Sequence, residues 1–179
     1  MSTPIQTPSP LVLDYIDRYI GYDPTTGYIT KKGKILPYKY SVIRAMTLVL
    51  TLDTTYEGCS LRYITYYHHV AWYLTYGVWP SMQIDHIDRN PTNNRIGNLR
   101  LATNSQNGSN KGKYKKDATS KYKGVYKVKR RKGKWTAHIK SQGKYYHLGT
   151  YTTENDAARA YNVKASELFG EFAALNEIV

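Results

Sequence analysis

Between Lys111 and Lys144 the chain carries fourteen lysines and arginines against one acid, Asp117, while the rest balances twelve bases against twelve acids. The whole net charge of +13 therefore sits in one stretch. At 179 residues the chain can form one ordinary domain or two very small ones. A basic field so confined favours a polyanionic partner, because phosphate contacts release condensed counterions. A lysine-rich run can equally be a solubilising tail, but the interleaved Tyr122, Tyr126, Trp135, Tyr145 and Tyr146 argue against that.

Other function classes drop out on composition. Apolar residues make up 41%, normal for a globular protein. No apolar run approaches the ~20 residues of a membrane span. Residues 1–10 lack the basic, apolar, small-residue order of a secretion signal. The expectation is a soluble cytoplasmic protein without a membrane partner. The lone Cys59 can form neither an internal disulfide nor a Cys-rich site, so no structural zinc is expected.

Local patterns place the elements. Residues 11–20 read as a short helix or a strand. Asp23-Pro24-Thr25-Thr26-Gly27 is turn chemistry, leading into a strand at 28–30, with more strands between 35 and 65. The pattern turns helical at 69–76 and is closed by Gly77 and Pro80. A brief strand at 84–87, the Asn-rich loop 90–94 and a partner strand at 98–101 follow. Asn93 and Asn94 read as turn residues satisfying local backbone groups. Thr103 and Gln106 have capping-box spacing, predicting a helix to about Asn110. Residues 111–119 form a basic linker. Strands at 123–128, 134–140 and 144–151 are punctuated by turns at Gly133 and Ser141-Gln142-Gly143. Thr153 with Asp156 opens a helix whose Ala157, Ala158, Tyr161, Ala165, Leu168 and Phe169 recur at helical spacing before Gly170.

The cluster Asp85-His86, Asn93-Asn94-Arg95, Asn98-Leu99-Arg100 and Asn107, preceded by His68-His69, carries the chemistry. Phosphodiester hydrolysis needs an activated water and charge neutralisation on the phosphoryl oxygens. Asp85 and Asn107 offer oxygen donors that suit a hard cation, Mg²⁺ or Mn²⁺. Side chains alternate along a strand, so His86 points away from Asp85 and can take a proton without binding metal. As a bare dipeptide, Asp85-His86 could equally be a surface pair. Taken together, the cluster resembles the HNH endonucleases of phage and intron-homing origin, most sharply from His68 to Asn107. The resemblance implies a ββα-metal (His-Me finger) fold, one divalent ion held by Asp85 and Asn107, His86 as general base, and Asn98 bracing the loop and orienting the histidine. His68 either contacts a phosphate or packs under the hairpin. Many relatives carry histidine where Asn107 stands and Arg where His69 stands.

Residues 120–178 are similar to the AP2 DNA-binding domain in Ser120-Lys121-Tyr122-Lys123-Gly124-Val125-Tyr126, Trp135-Thr136-Ala137-His138, Leu148-Gly149-Thr150-Tyr151 and Asp156-Ala157-Ala158-Arg159-Ala160-Tyr161. That resemblance implies a three-stranded antiparallel sheet lying in the major groove with one helix packed behind it. The residues it offers to DNA are Tyr126, Lys127, Lys129, Arg130, Arg131, Trp135, His138, Lys140 and His147, of which one face alone can point inward. Arg130 and Arg131, in the first turn, are expected on phosphates. Trp135 could instead pack in the core.

The expected fold is α+β: an N-terminal segment at 1–21, an HNH unit at 22–110 with its ββα core at 82–110, the linker, and an AP2-like unit at 120–179. The expected function is metal-dependent cleavage of double-stranded DNA by a homing-type enzyme of phage origin. It would act in the host cytoplasm as a monomer or a weak dimer on DNA. The alternatives are a DNA-binding transcriptional regulator with a vestigial HNH unit and a nucleic-acid packaging protein.

Overall fold

The computed structural model describes residues 5–37, 39–40, 46–56, 59–113, 119–129 and 133–179, with the backbone course alone for 39–40, 46–56 and 59–62. The chain divides between Thr103 and Asn104 into two compact units, each α+β with small antiparallel sheets.

The first unit opens with helix α1 (Pro10–Tyr19), which has Pro at its first turn, where the missing N–H costs nothing. Strands β1 (Ile20–Tyr22), β2 (Ile29–Lys31) and β3 (Lys34–Ile35) form one antiparallel sheet. Strands β4 (Lys39–Tyr40), β5 (Met46–Tyr56) and β6 (Cys59–Tyr66) form a second. Helix α2 (Tyr67–Tyr76) follows directly and ends at Gly77, two residues longer at its start than the pattern predicts. Val12, Tyr15 and Ile16 of α1, Ile20, Ile29 and, from α2, Tyr67, Val70 and Tyr73 close one core. The ambiguous segment at 11–20 is therefore a helix. Instead of standing apart as an N-terminal segment, residues 12–20 share the core of the residues that follow, because their apolar face has no other surface to cover. The buried Tyr67 hydroxyl donates to the carbonyl of Leu36 at 2.8 Å.

Strands β7 (Gln83–His86) and β8 (Leu99–Ala102) pair antiparallel, with Ile84 opposite Leu101, Asp85 opposite Arg100 and His86 opposite Leu99. Ile84 and Leu99 pack on Ala71 of α2, which seats the hairpin on that helix. Each strand lies one residue outward of its expected position. The 98–101 strand starts late because Ile96–Asn98 forms a 3₁₀ turn, in which Asn98 is spent on the loop.

The Asp23–Gly27 turn forms as its composition requires. The Asp23 carboxylate accepts from Thr25 N at 2.8 Å and Thr26 Oγ1 at 2.7 Å, and these bonds hold its pKa below the ordinary carboxylate value. Gly27 sits at φ +77, and a Cβ there would stand 2.6 Å from Arg95 N and 2.7 Å from the carbonyl carbon of Asn94. The turn is thus pressed against the end of the Asn-rich loop.

The second unit begins with helix α3 (Asn104–Asn110), which has its expected span but falls here instead of closing the HNH unit expected at 22–110. Strands β9 (Val125–Lys127), β10 (Trp135–Ser141) and β11 (Lys144–Tyr151) form a sheet in the order β11-β10-β9. Gln142 and Gly143 both have positive φ (49 and 80), as the two-residue turn of a right-twisted hairpin requires. Helix α4 (Glu154–Phe169) starts at an N-cap Thr153 whose Oγ1 accepts from Asp156 N at 3.1 Å. It lays Ala157, Ala158, Tyr161 and Ala165 on the sheet residues Val125, Ala137 and Ile139. The expected sheet covered on one face is what forms. Lys123 has a structural task, its ammonium donating to the carbonyls of Ser109 at 2.8 Å and Lys111 at 2.6 Å.

Replacing Gly27 by Ala should cost the first unit at least about 2 kcal/mol, from the positive φ and the backbone collision together. Urea unfolding followed by tryptophan fluorescence measures it, and a midpoint equal to wild type would contradict the close approach.

Candidate active site and nucleic-acid face

The loop joining β7 to β8 is closed by side chains. The Asp88 carboxylate accepts from Asn90 N at 2.8 Å, Asn93 Nδ2 at 2.7 Å and Asn98 Nδ2 at 2.9 Å. Asn98 returns the bond by accepting from Asp88 N at 3.0 Å, and its amide also donates to the carbonyl of Asn93 at 2.8 Å. Arg89 takes a left-handed conformation, φ 64, to turn the chain. Asn98 thus braces the loop, as expected of it.

A side-chain contact to the histidine comes from Asn94, whose Oδ1 lies 3.0 Å from His86 Nε2. Asn94 is fully buried, and its backbone carbonyl accepts from the Tyr22 hydroxyl at 2.7 Å. Asp85 is buried as well, at 4% exposure, and Arg100 opposite it donates to Oδ2 from both Nε and Nη2 at 2.9 Å. The two residues at consecutive positions of β7 are therefore held by different partners, Asp85 by an arginine and His86 by a buried amide. The ring of His68 stands edge-on to that of His86 with centroids 5.2 Å apart, stacks on Tyr66 at 5.4 Å and meets His69 at 4.8 Å. Asn107 lies on α3, half-buried, in the second unit.

Residues 65–109 match the family model described as HNH endonuclease. That span holds Asp85, His86, Asn98 and Asn107. The chain is 44% identical over 103 residues to a protein of Acanthamoeba polyphaga mimivirus named as an uncharacterized HNH endonuclease, covering 57% of this chain and 51% of that one. It is 35% identical over 107 residues to Protein 3.8 of Escherichia phage T7, covering 59% of this chain and 86% of that one. Residues 65–109 thus carry a match to an HNH endonuclease domain. The chain spans about half the length of its mimiviral relative.

The HNH hairpin contains two residues whose site contacts sequence reasoning missed. Arg100 could have been found from register, since pairing 84–87 with 98–101 brings an arginine near Asp85. Asn94 carries no such signal, because it and Asn93 are the same residue type in adjacent positions.

In the second unit, α4 covers the face bearing Val125, Ala137 and Ile139, so strand alternation turns Tyr126, Thr136, His138 and Lys140 to the other. The neighbouring β11 adds Tyr145 and His147, with His138 and His147 paired across the strands at 4.8 Å between centroids. Thr136 Oγ1 lies 3.1 Å from His138 Nε2, and Lys140 Nζ sits 4.8 Å over the Tyr145 ring. Four of the expected DNA residues, Tyr126, His138, Lys140 and His147, thus share one open face. Trp135 is not on it. It packs beside the core on the α4 side, half-buried. Lys127 and Lys129 are exposed, while Arg130 and Arg131 lie outside the described residues.

Two expected outcomes follow from the buried groups. Arg100→Ala leaves the Asp85 carboxylate buried without its arginine, and should lower stability by about 3 kcal/mol in urea unfolding, with Arg100→Lys restoring part of it; an unchanged midpoint would contradict the ion pair. The second concerns pH. Burial pushes His69 down to about 4 from 6.5, and burial, with His69 and His86 alongside, pulls His68 well below 6.5. Between pH 4 and 6.5 the unfolded chain binds more protons than the folded one, so stability is lost as pH falls through that window. For His69 the full loss is on the order of 3 kcal/mol. His69→Phe should therefore flatten the fall of the urea midpoint between pH 7 and 4.5; parallel curves would contradict the assignment.

Proposed function

We propose that this chain is a metal-dependent DNA endonuclease that hydrolyses phosphodiester bonds, with its second unit, of the AP2 type, holding double-stranded DNA. The observation that carries this reading is the juxtaposition on β7 of a buried carboxylate and an imidazole on a braced hairpin, inside the span that matches the HNH endonuclease family.

HNH nucleases generally use a divalent metal ion. The donors present here suit a hard one. Asp85 offers a dehydrated carboxylate held in place by Arg100, and Asn107 offers an amide oxygen; such oxygen donors favour Mg²⁺ or Mn²⁺ over zinc. When bound, the ion supplies positive charge against the phosphoryl oxygens and the departing 3′ oxygen. His86 removes a proton from water as its oxygen bonds to phosphorus, the bond to the 3′ oxygen breaks, and that oxygen is protonated from solvent. Asn98 keeps the loop in shape and touches no reacting atom.

The open face of the second unit supplies aromatic and imidazole edges for base contacts, and the lysines around it supply phosphate contacts. A second DNA contact on the same chain raises the effective concentration of duplex at the cutting hairpin. One hairpin per chain cuts one strand at a time, so a monomer nicks, and a double-strand break needs a dimer or two visits. One relative named above is a mimivirus protein and the other a phage protein, which supports a virus-borne enzyme; that it is phage-borne, of homing type and active in the host cytoplasm is part of the same proposal.

Supercoiled plasmid with Mg²⁺ or Mn²⁺ tests the proposal. Wild type should produce open circles, and chelation should stop it. His86→Ala should slow nicking at least about 100-fold with gel-shift affinity retained. Wild type as inert as His86→Ala with both metals would leave a DNA-binding regulator. Affinity should fall steeply with salt, and each of Lys127→Ala, Lys129→Ala and Lys134→Ala that removes a phosphate contact should lower the slope of log K against log salt by about 0.9. Unchanged slopes would remove the second unit from DNA binding.

A further inference from the structure

We infer that Asn94 is the positioning residue that selects which nitrogen of His86 takes the proton. The inference rests on the reading of His86 as the general base. Asn94 lies in a loop whose neighbours Thr92 and Arg95 are exposed, yet its own side chain is wholly buried. An amide is buried in a surface loop only where its polar atoms are satisfied by the protein. Here Oδ1 faces His86 Nε2 at 3.0 Å, and the amide nitrogen points to the carbonyl of Thr92 at 3.5 Å, which makes the oxygen the atom turned to the ring.

An amide oxygen has no hydrogen to give. At that contact the hydrogen must sit on Nε2, and a neutral imidazole protonated there carries its lone pair on Nδ1. In the other tautomer two lone pairs would meet at 3.0 Å inside the protein, losing a buried hydrogen bond and adding repulsion. Asn94 therefore presents Nδ1 as the basic atom and holds the plane of the ring.

The residue that does this is itself held. The Tyr22 hydroxyl donates to the Asn94 carbonyl at 2.7 Å, and the Gly27 turn abuts the backbone of Asn94 and Arg95 so closely that no side chain fits between. This gives β1 and the Asp23–Gly27 turn a task in the chemistry: they clamp the amide that aims the base.

The test is spectroscopic first. Two-bond ¹H–¹⁵N correlations of the imidazole rings in the ¹⁵N-labelled full chain, at a pH where they are neutral, report the tautomer without any substrate. Wild type should show His86 protonated at Nε2. Asn94→Leu, which keeps the bulk and removes the acceptor, should lose that preference and lower kcat for plasmid nicking on the order of 100-fold with KM little changed. Asn94→Asp, which keeps an acceptor oxygen, should restore the tautomer and part of kcat. Wild-type His86 protonated at Nδ1 overturns the inference whether or not any variant folds, and so does an Asn94→Leu protein with wild-type tautomer or wild-type kcat. A wild-type protein that nicks nothing overturns the nuclease reading instead, and the spectrum separates the two failures.

Discussion

The Asp88 carboxylate is the interaction on which the rest of the hairpin depends. It gathers a backbone N–H and two asparagine amides within 2.9 Å and so ties the end of β7 to the start of β8. Burial works to raise its pKa, but the bonds from Asn93, Asn90 and Asn98, together with His86 nearby, outweigh that and hold it below the ordinary value. The loop is closed by a charge that persists at neutral pH. Closure matters because a strand slipped by one residue exchanges its two faces. In this register Asp85 meets Arg100 and His86 meets Asn94; one step away, the carboxylate and the imidazole would change places.

The same economy of means shapes the second unit. Its core is thin, built on alanines of α4 so that helix and sheet approach closely on one face of the sheet, and the other face carries Tyr126, Thr136, His138, Lys140 and His147. That face is neither apolar nor simply basic. Tyrosine, threonine and histidine occupy its middle and lysine stands among them, the pattern suited to a surface that meets base edges and phosphates together. The fourteen bases of the 111–144 stretch cannot all serve that face, since Lys123 is engaged at the end of α3.

Much of this could be read from the residues. Wherever local chemistry decides structure, the reading held: the Asp23–Gly27 turn, the end of α2 at Gly77, the two-residue turn at Gln142-Gly143 and the Thr153 cap each follow from one residue's conformational or hydrogen-bonding preference. What could not be read depends on tertiary burial. Residues 11–20 have a period that suits helix or strand, and only the core they join decides. Asn93 and Asn94 are indistinguishable as letters, yet one ties down the loop carboxylate and the other meets the histidine. Trp135 lies beside the core because strand alternation, counted from Ala137, sends it there, and that count needs the strand boundaries first. The family resemblance placed the chemistry at residues 85, 86, 98 and 107, but it gave Asn98 both the bracing and the orienting. The contacts place Asn98 on the loop carboxylate and Asn94 against the histidine ring.

The proposed hydrolysis requires the buried carboxylate of β7 to be a cation ligand as well as an ion-pair partner. Amide-resolved paramagnetic broadening tests it most directly, with substoichiometric Mn²⁺ added to ¹⁵N-labelled His86→Ala protein bound to a short duplex that it leaves uncut. If Asp85 and Asn107 hold the ion, the signals of residues 84–86 and 107 broaden first and recover when Mg²⁺ is added in excess. Broadening confined to other carboxylates, or none, would mean that Asp85 holds only its arginine, and the hydrolytic reading would lose its foundation.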